Sequence, residues 1–253
     1  MANAEAELIV GIGASAGGLE SLKEFFSAIP ADCGLAFVVI QHLAPSRASY
    51  MADILQKCTK MRVIEAQDNL PIEPNSVYTI PPNRFLKIAK ERLYLAEPEK
   101  RDGLRMPIDF FFRSLAENQH ERTICLLLSG SGSDGTLGLR EVRAAGGLTI
   151  VQKPETAQFD AMLRGAIATG MVDLVLPIGE IAEVVRRYVP QIRRPDSSSA
   201  DREKLEQLDS ILDLLTLRSG NDFSAYKKPL CCGVPNGAGD SITWARWPST
   251  CNL

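Results

Sequence analysis

The chain has 253 residues, of which 45% are hydrophobic and 23% charged, values that are typical of a globular protein. Its formal net charge of -3 and its isoelectric point near 5.6 argue against a nucleic-acid-binding protein, because neutralising phosphates requires a basic face. The first apolar run, Leu8 to Ile12, is too short for a membrane span or a signal sequence. We therefore expect no membrane insertion, and a cytoplasmic location follows by default.

The cysteines have no spacing that a metal site would require. The chain contains six of them and no Cys-x-x-Cys pair, and Cys125 falls within an apolar strand pattern. We expect structural or incidental roles for all six and a reduced protein. They are Cys33, Cys58, Cys125, Cys231, Cys232 and Cys251.

Short apolar runs alternate with segments of helical periodicity between residues 5 and 190, which we predict to form one domain. The predicted strands are residues 7–13, 35–41, 61–66, 123–128, 148–152 and 174–176, and the predicted helices are residues 15–29, 49–58, 107–117, 135–145, 156–169 and 178–188. This alternation predicts an α/β fold, a doubly wound and mostly parallel sheet with helices on both faces. Ligands bind such sheets at the carboxyl ends of the strands.

The pattern changes between residues 69 and 95. Three short runs, residues 77–80, 85–88 and 92–95, are separated by turn-forming residues. They predict a small antiparallel excursion that is appended to the parallel core.

The segment GIGASAGG, residues 11–18, follows the first predicted strand and fits two motifs. It contains the G-x-G-x-x-A pattern of dinucleotide-binding folds and also the G-x-S-x-G pattern of a nucleophile elbow, centred on Ser15. The dinucleotide motif needs an acidic residue at the end of the second strand, where this chain has Gln41 and His42. The sequence therefore favours Ser15 as a nucleophile, and a glycine turn with an N-capping serine remains the alternative.

A serine nucleophile needs an imidazole to take its proton and a carboxylate to orient that imidazole. The chain has only two histidines. His42 ends the strongest strand pattern and should emerge at the same sheet edge as Ser15, whereas His120 lies in the polar stretch ENQHER and is expected at the surface. His42 is therefore the candidate base.

The loop SGSGSDG, residues 129–135, follows the predicted strand 123–128. Loops rich in glycine and serine can form backbone nests that bind anions, and the absence of a Gly-Lys-Ser/Thr sequence excludes a nucleotide P-loop. Asp134 is a candidate for the orienting carboxylate and equally for a helix N-cap. The backbone N–H groups near Ser131 and Gly132 are candidate donors to an oxyanion.

At these residues the chain resembles the catalytic domain of the bacterial chemotaxis protein-glutamate methylesterases of the CheB type. The resemblance spans roughly residues 7–190 in the same order. It rests on the segments IVGIGASAGG (9–18), VVIQH (38–42), EA (65–66), VYTIPP (77–82), LSGSGSDG (128–135) and GG (146–147).

The resemblance implies a serine hydrolase with Ser15 as the nucleophile, His42 as the general base and acid, and Asp134 as the orienting carboxylate. It implies hydrolysis of γ-methyl esters of glutamates on the cytoplasmic helices of chemoreceptors, and deamidation of glutamines there. No metal or cofactor is implied. The expected partners are methylated chemoreceptor helices, and the oligomeric state is left open.

Two residues depart from the family pattern. Ala16 follows the nucleophile, where the family often has threonine, and Ser131 stands in the aspartate loop, where it often has methionine. Together with Gly132, these residues fall in the expected oxyanion region. A catalytically weak adaptor that binds receptor helices with the same cleft is therefore the alternative function.

The chain changes character after residue 190. Residues 191–200 (QIRRPDSSSA) are predicted to be a linker, and residues 201–228 begin with an amphipathic helix and resemble the start of a receptor methyltransferase. The tail, residues 229–253, has no periodicity, and we hypothesise that it is out of frame. No receiver domain is expected before the first strand, so phosphorylation-gated activation within the chain is not expected.

Overall fold

The structure is a computed structural model that describes residues 8–41, 50–98 and 105–192, with side chains as far as residue 187. Its strands are β1 (Ile9–Ala14), β2 (Ala36–Gln41), β3 (Arg62–Glu65), β4 (Leu70–Pro71), β5 (Ser76–Thr79), β6 (Phe85–Ala89), β7 (Arg92–Ala96), β8 (Thr123–Leu127), β9 (Leu148–Gln152) and β10 (Leu174–Leu176). Its α-helices are α1 (Gly18–Ala28), α2 (Met51–Gln56), α3 (Pro107–Gln119), α4 (Thr136–Ala144), α5 (Ala161–Ala168) and α6 (Ile178–Ile192), and short 3-10 turns occupy His120–Arg122 and Pro154–Thr156.

Seven of these strands form a parallel sheet with the order β10-β9-β8-β1-β2-β5-β3. From β1 the chain passes through α1 to β2 on one side, and from β8 it passes through α4 to β9 on the other. The neighbouring strands β1 and β8 therefore flank the point where the direction of winding reverses. Open α/β sheets bind ligands at this point, outside the carboxyl ends of the strands.

The helices cover both faces of the parallel sheet. α1 packs with α2 and α6, whereas α3 packs with α4, which also contacts α5. The connections from β1 to β2 and from β8 to β9 run in opposite directions across the sheet. Because both crossovers are right-handed, their helices α1 and α4 lie on opposite faces. The predicted doubly wound α/β fold is confirmed.

Aromatic side chains form the core on both faces. On one face Phe25 and Phe26 of α1 meet Phe37 of β2 edge to face, and the ring centroids of Phe26 and Phe37 are 5.5 Å apart. On the other face Phe111 and Phe112 of α3 are fully buried. Fully burying a side chain of this size contributes roughly 1.5–3 kcal/mol, so α1 and α3 are both fixed to the sheet by their apolar faces.

The prediction that residues 77–80 belong to the antiparallel excursion is wrong. β5 lies inside the parallel sheet between β2 and β3, with Val77 opposite both Phe37 and Val63. All four residues of β5 are buried. The sequence of so short a strand does not indicate that it will insert between two earlier strands, because contacts with residues distant in sequence determine its partners.

The other two runs do form antiparallel strands. β6 and β7 pair as a hairpin, and β4, which the sequence pattern did not indicate, joins them in a sheet of the order β4-β7-β6. The small antiparallel part of the predicted fold is therefore confirmed, with different membership.

Several helix boundaries differ from the prediction, among them the start of α5 and the end of α6. α5 begins at Ala161 and not at residue 156, because the backbone of Phe159 is bonded to the loop after β8: its N–H donates to Ser129 Oγ (3.1 Å), and its carbonyl accepts from Gly130 N–H (3.0 Å). α6 continues to Ile192, past its predicted end at residue 188.

The rest of the predicted linker, the methyltransferase-like segment 201–228 and the tail 229–253 lie outside the described residues. Within the described ranges, no helix combines the length and the apolar character needed to cross a membrane.

Candidate active site

The structure places Ser15 and the Asp134 loop beside each other at the carboxyl edge of the sheet. Ser15 directly follows β1, and the loop directly follows β8, which pairs with β1 so that Gly13 lies opposite Leu127. Beyond the strands the pairing continues, since Leu128 N–H donates to the Gly13 carbonyl at 2.9 Å. Both segments therefore emerge at the point where the winding of the sheet reverses.

Ser15 occupies a tight turn between β1 and α1. Its N–H donates to the Ser129 carbonyl (3.0 Å), and its carbonyl accepts from Gly18 N–H (3.0 Å). Gly17 has a φ of 70°, in the left-handed region, where a residue without a Cβ is favoured. The turn holds a half-buried Ser15 next to the N-terminus of α1, whose dipole favours negative charge there.

The turn has little free space on the side of the β8 loop. A Cβ on Gly130 would lie 2.2 Å from Met162 Cε and 3.0 Å from Ser15 Cβ. The backbone of the loop therefore passes in direct contact with the Ser15 side chain. A larger residue at position 130 would require the Met162 and Ser15 side chains to shift.

Asp134 is 4% exposed and accepts two backbone hydrogen bonds at the start of α3. Its Oδ2 accepts from Ile108 N–H and its Oδ1 from Asp109 N–H, each at 2.9 Å. A carboxylate can accept about four hydrogen bonds, so the two from α3 are compatible with a further role for Asp134. Asp134 thus satisfies orphan donors of α3.

Asp109 lies beside Asp134 and is also 4% exposed. Its Oδ1 accepts from Gly138 N–H (2.7 Å) in the first turn of α4. Burial, with a smaller contribution from the nearby Asp134, raises the pKa of Asp109 to about 6 even though the hydrogen bond from Gly138 N–H opposes the shift. The two carboxyl groups thus connect the starts of α3 and α4, one supporting each helix.

His42, the predicted base, lies outside the described residues. The residue before it, Gln41, ends β2 and pairs with Ala14, the residue before Ser15. The neighbouring strands β1 and β2 thus end in register immediately before the serine and the histidine. His120 is exposed at the end of α3, as the sequence predicted.

Of the candidate oxyanion residues, Ala16 follows Ser15 directly, and Ser131 and Gly132 follow Gly130 in the loop after β8. Gly132 has a φ of 93°, and both it and Ser131 are exposed. The N–H of Ser15 is bonded to Ser129 and cannot serve as an oxyanion donor. Within the part of the chain that the structure describes, the backbone N–H groups of Ala16, Ser131 and Gly132 have no acceptor and stay available.

Sequence reasoning missed the residues that hold this edge together. Ser129 is fully buried, and its Oγ donates to the Ala16 carbonyl (2.9 Å). Gln152, at the end of β9, accepts from Ser129 N–H (2.9 Å). Gln152 had the same signal as Gln41 and His42, since it is a polar residue that ends an apolar strand. Ser129 and Asp109 had no comparable signal.

The described residues contain no cluster of three His, Cys, Asp or Glu side chains that could hold a metal ion. Cys125 is fully buried in β8, and burial raises the pKa of its thiol. A buried thiol that keeps its proton is a poor nucleophile and metal ligand. The predicted core role of Cys125 is confirmed.

Comparisons with known proteins identify the family to which this chain belongs. The CheB methylesterase family model matches residues 10–185. A Leptospira interrogans protein, named provisionally as a protein-glutamate methylesterase/protein-glutamine glutaminase, is 34% identical over 177 residues, which are 70% of this chain and 92% of that protein. A Pyrococcus abyssi protein with the same name, not provisional, is 32% identical over 192 residues, covering 74% of this chain.

The chain spans only part of other relatives. It covers 52% of the Pyrococcus abyssi protein and 21% of an uncharacterized 104.1 kDa protein of Rhodobacter capsulatus, to which it is 36% identical over 200 residues. The crystal structure of the Thermotoga maritima CheB methylesterase catalytic domain is similar with a TM-score of 0.67 and 32% identity, over 72% of this chain and 98% of that one. The chain therefore belongs to the CheB methylesterase family.

Proposed function

We propose that this protein is a serine hydrolase that removes γ-methyl esters from glutamates of chemoreceptor cytoplasmic helices and deamidates glutamines there. Ser15 is the nucleophile, His42 the base and Asp134 the orienting carboxylate. The observation that carries the proposal is the hydrogen-bonded contact between the Ser15 turn and the Asp134 loop, at the ends of the neighbouring strands β1 and β8. The names of the relatives from Leptospira interrogans and Pyrococcus abyssi support the substrate class.

The first half of the reaction forms an acyl-enzyme. Ser15 Oγ attacks the ester carbonyl carbon while His42 takes the hydroxyl proton. Asp134 holds the imidazole in the tautomer that can accept this proton and stabilises the imidazolium that forms. When the tetrahedral intermediate collapses, the proton passes from His42 to the leaving methoxide, and methanol departs. A glutamine substrate releases ammonia at the same step.

The second half frees the glutamate. His42 takes a proton from water, and the resulting hydroxide attacks the acyl carbon and displaces Ser15 Oγ. Ser15 recovers its proton, and the glutamate carboxylate leaves.

Both tetrahedral intermediates carry a negative oxygen that needs donors. The backbone N–H groups of Ala16, Ser131 and Gly132, which have no acceptor among the described residues, are the candidate donors, and the N-terminus of α1 adds its dipole. The donors are backbone N–H groups, which do not depend on the side chain. They are therefore kept when Ala16 and Ser131 stand in place of the threonine and methionine of the family pattern. Substrate helices of this kind lie in the cytoplasm, where we place the reaction.

Labelling and methanol release test the proposal together. The intact chain, its Ser15→Ala variant and its Ser27→Ala variant are incubated with a fluorophosphonate probe and, separately, with methylated receptor fragments. Ser27 is an exposed serine of α1 and provides a matched control. We expect the wild-type protein and Ser27→Ala to be labelled and to release methanol, and Ser15→Ala to do neither.

Equal methanol release by wild type and Ser15→Ala would contradict the assignment of the nucleophile. The adaptor alternative makes a different prediction. An adaptor would bind methylated receptor fragments without being labelled and without releasing methanol, and that result would overturn the hydrolase.

A further inference from the structure

Gln152 is a buried amide at the carboxyl end of β9 that contacts three segments of the active-site edge. It is 1% exposed. Its Oε1 accepts from Ser129 N–H (2.9 Å) and from the hydroxyl of Ser21 (3.0 Å), a residue of α1. Its Nε2 donates to the carbonyl of Thr156 (3.1 Å). One side chain thus connects the loop that carries Asp134, the helix that follows Ser15, and the segment before α5.

The chemistry of its partners permits a single orientation of this amide. A backbone N–H can only donate and a backbone carbonyl can only accept, so Oε1 must face Ser129 and Nε2 must face Thr156. Every polar atom of the Gln152 side chain therefore has a hydrogen-bond partner. An apolar side chain of similar size at position 152 could make none of these bonds. A buried network satisfied in this way is rigid.

Ser129, the residue bonded to Gln152, is in turn bonded to the nucleophile turn on both sides of Ser15. Its carbonyl accepts from Ser15 N–H (3.0 Å), and its Oγ donates to the Ala16 carbonyl (2.9 Å). The same Oγ accepts from Phe159 N–H (3.1 Å). A shift of Ser129 would therefore move the backbone that carries both the nucleophile and one candidate oxyanion donor.

We propose that Gln152 is a positioning residue for Ser15, acting through Ser129, a role that rests on the proposed hydrolase function. It holds the backbone of Ser129 where Ser15 Oγ and the N–H of Ala16 face the same point in space. Misplacing reacting groups by about 1 Å can cost about 100-fold in rate. The effect should fall on the acylation rate and not on receptor binding, because Gln152 is buried beneath the turn.

The test compares Gln152→Met with Thr149→Val in the intact chain. Thr149 lies on the same strand and is equally buried, but its side chain is bonded to Asp173 and Met171, at the opposite edge of the sheet. Both variants lose buried hydrogen bonds, so both should lower Tm. We expect Gln152→Met to lower kcat and the rate of fluorophosphonate labelling of Ser15 by about 10- to 100-fold with little change in KM. Thr149→Val should keep the wild-type values of all three.

A second variant, Gln152→Glu, gives a readout that does not depend on Tm. A protonated carboxyl group has the donor and acceptor pattern of the amide, while the ionised form turns an acceptor toward the Thr156 carbonyl. Burial raises the pKa of the introduced carboxyl. The ratio of the labelling rates of Gln152→Glu and wild type should therefore rise as the pH falls, whereas the ratio for Thr149→Val stays constant.

The possible failures are distinguishable. Normal labelling of the folded Gln152→Met variant, or a pH-independent ratio for Gln152→Glu, would overturn the role of Gln152 and leave the hydrolase intact. Absence of labelling in the wild-type protein would overturn the hydrolase and this role with it.

Discussion

The two ends of β9 each carry a buried polar side chain, and the two side chains have different neighbours. At the amino-terminal end, Thr149 exchanges hydrogen bonds with Asp173, whose carboxylate also lies 3.5 Å from the guanidinium of Arg143. At the carboxyl end, Gln152 is bonded to Ser129, which is bonded to Ser15. Both clusters satisfy groups that would be costly to bury alone.

If Gln152 has the role proposed above, burial and hydrogen bonding alone do not identify a functional polar cluster. What separates these two is their place relative to the direction of the strands. Loops at the carboxyl edge of a parallel sheet surround the ligand site, whereas loops at the amino edge connect helices to strands. We therefore expect equivalent substitutions to cost stability at both edges and activity only at the carboxyl edge.

The largest effect on activity should follow Asp134→Asn. The amide cannot orient the His42 imidazole as a carboxylate does, and it turns an NH2 group toward a backbone N–H of α3 that now donates to Asp134. We expect kcat for methanol release to fall by about 10⁴-fold, as in other hydrolases that lose the carboxylate of the triad. Steady-state kinetics on methylated receptor fragments measures the change.

Asp173→Asn is the matched variant at the amino edge. Asp173 also accepts a backbone N–H, that of Thr149 (3.0 Å). Its loss should lower the free energy of unfolding by about 1–3 kcal/mol without lowering kcat. If kcat fell equally in the two variants, the expected difference between the two edges would be contradicted. Asp134 would then affect activity only by stabilising the fold.

A smaller effect is expected when a methyl group is added beneath the nucleophile. Gly130→Ala would place its Cβ 2.2 Å from Met162 Cε and 3.0 Å from Ser15 Cβ, so the end of the Met162 side chain must move aside and Ser15 must yield by about a few tenths of an ångström. We expect kcat to fall by about tenfold or more, since positioning errors below 1 Å already matter for attack geometry. Stopped-flow labelling of Ser15 by the fluorophosphonate measures this loss directly.

Gly147→Ala provides the same crowding at the amino edge. Its Cβ would lie 2.8 Å from Val142 Cγ1 and 3.1 Å from the Thr123 carbonyl oxygen. Crowding of this kind costs typically 1–3 kcal/mol of stability. A labelling rate for Gly147→Ala as slow as that of Gly130→Ala would show that general strain, and not contact with Ser15, controls the rate.

Most of the parallel sheet could be predicted from the sequence because its strands are apolar and end at glycine or polar residues. The strand predicted at residues 148–152 coincides with β9, and the strand predicted at residues 174–176 coincides with β10. The position of β5 was predicted wrongly because packing between segments distant in sequence determines its neighbours, β2 and β3. Local pattern carries no information about which strands a short segment will separate.

The site was predictable only where chemistry restricts residue type. Ser15 and Asp134 stand out because glycine-rich turns follow strands there, and both lie at the predicted edge. Ser129 and Asp109 act through hydrogen bonds to backbone groups of distant segments, such as Ala16 and Gly138. Such bonds depend on three-dimensional proximity, so a single sequence does not reveal them.

The smallest expected effect concerns Asp109 and appears only in the pH dependence of stability. The pKa of Asp109 is raised to about 6 by burial and by Asp134, whereas its usual value is 3.8. Between about pH 4 and pH 6 the folded protein therefore holds a proton that the unfolded chain releases, and this group makes the free energy of unfolding fall as the pH rises. Asp109→Asn removes the titrating group, so this part of the fall should disappear.

Urea unfolding of the wild type and Asp109→Asn at several pH values between about 4 and 7 measures this difference. Glu117→Gln, which removes an exposed carboxylate from the same helix, is the control and should follow the wild-type curve. Parallel curves for the wild type and Asp109→Asn would show that Asp109 is ionised in the folded protein throughout this range. Backbone donors such as Gly138 N–H would then have to outweigh the desolvation of the Asp109 carboxylate.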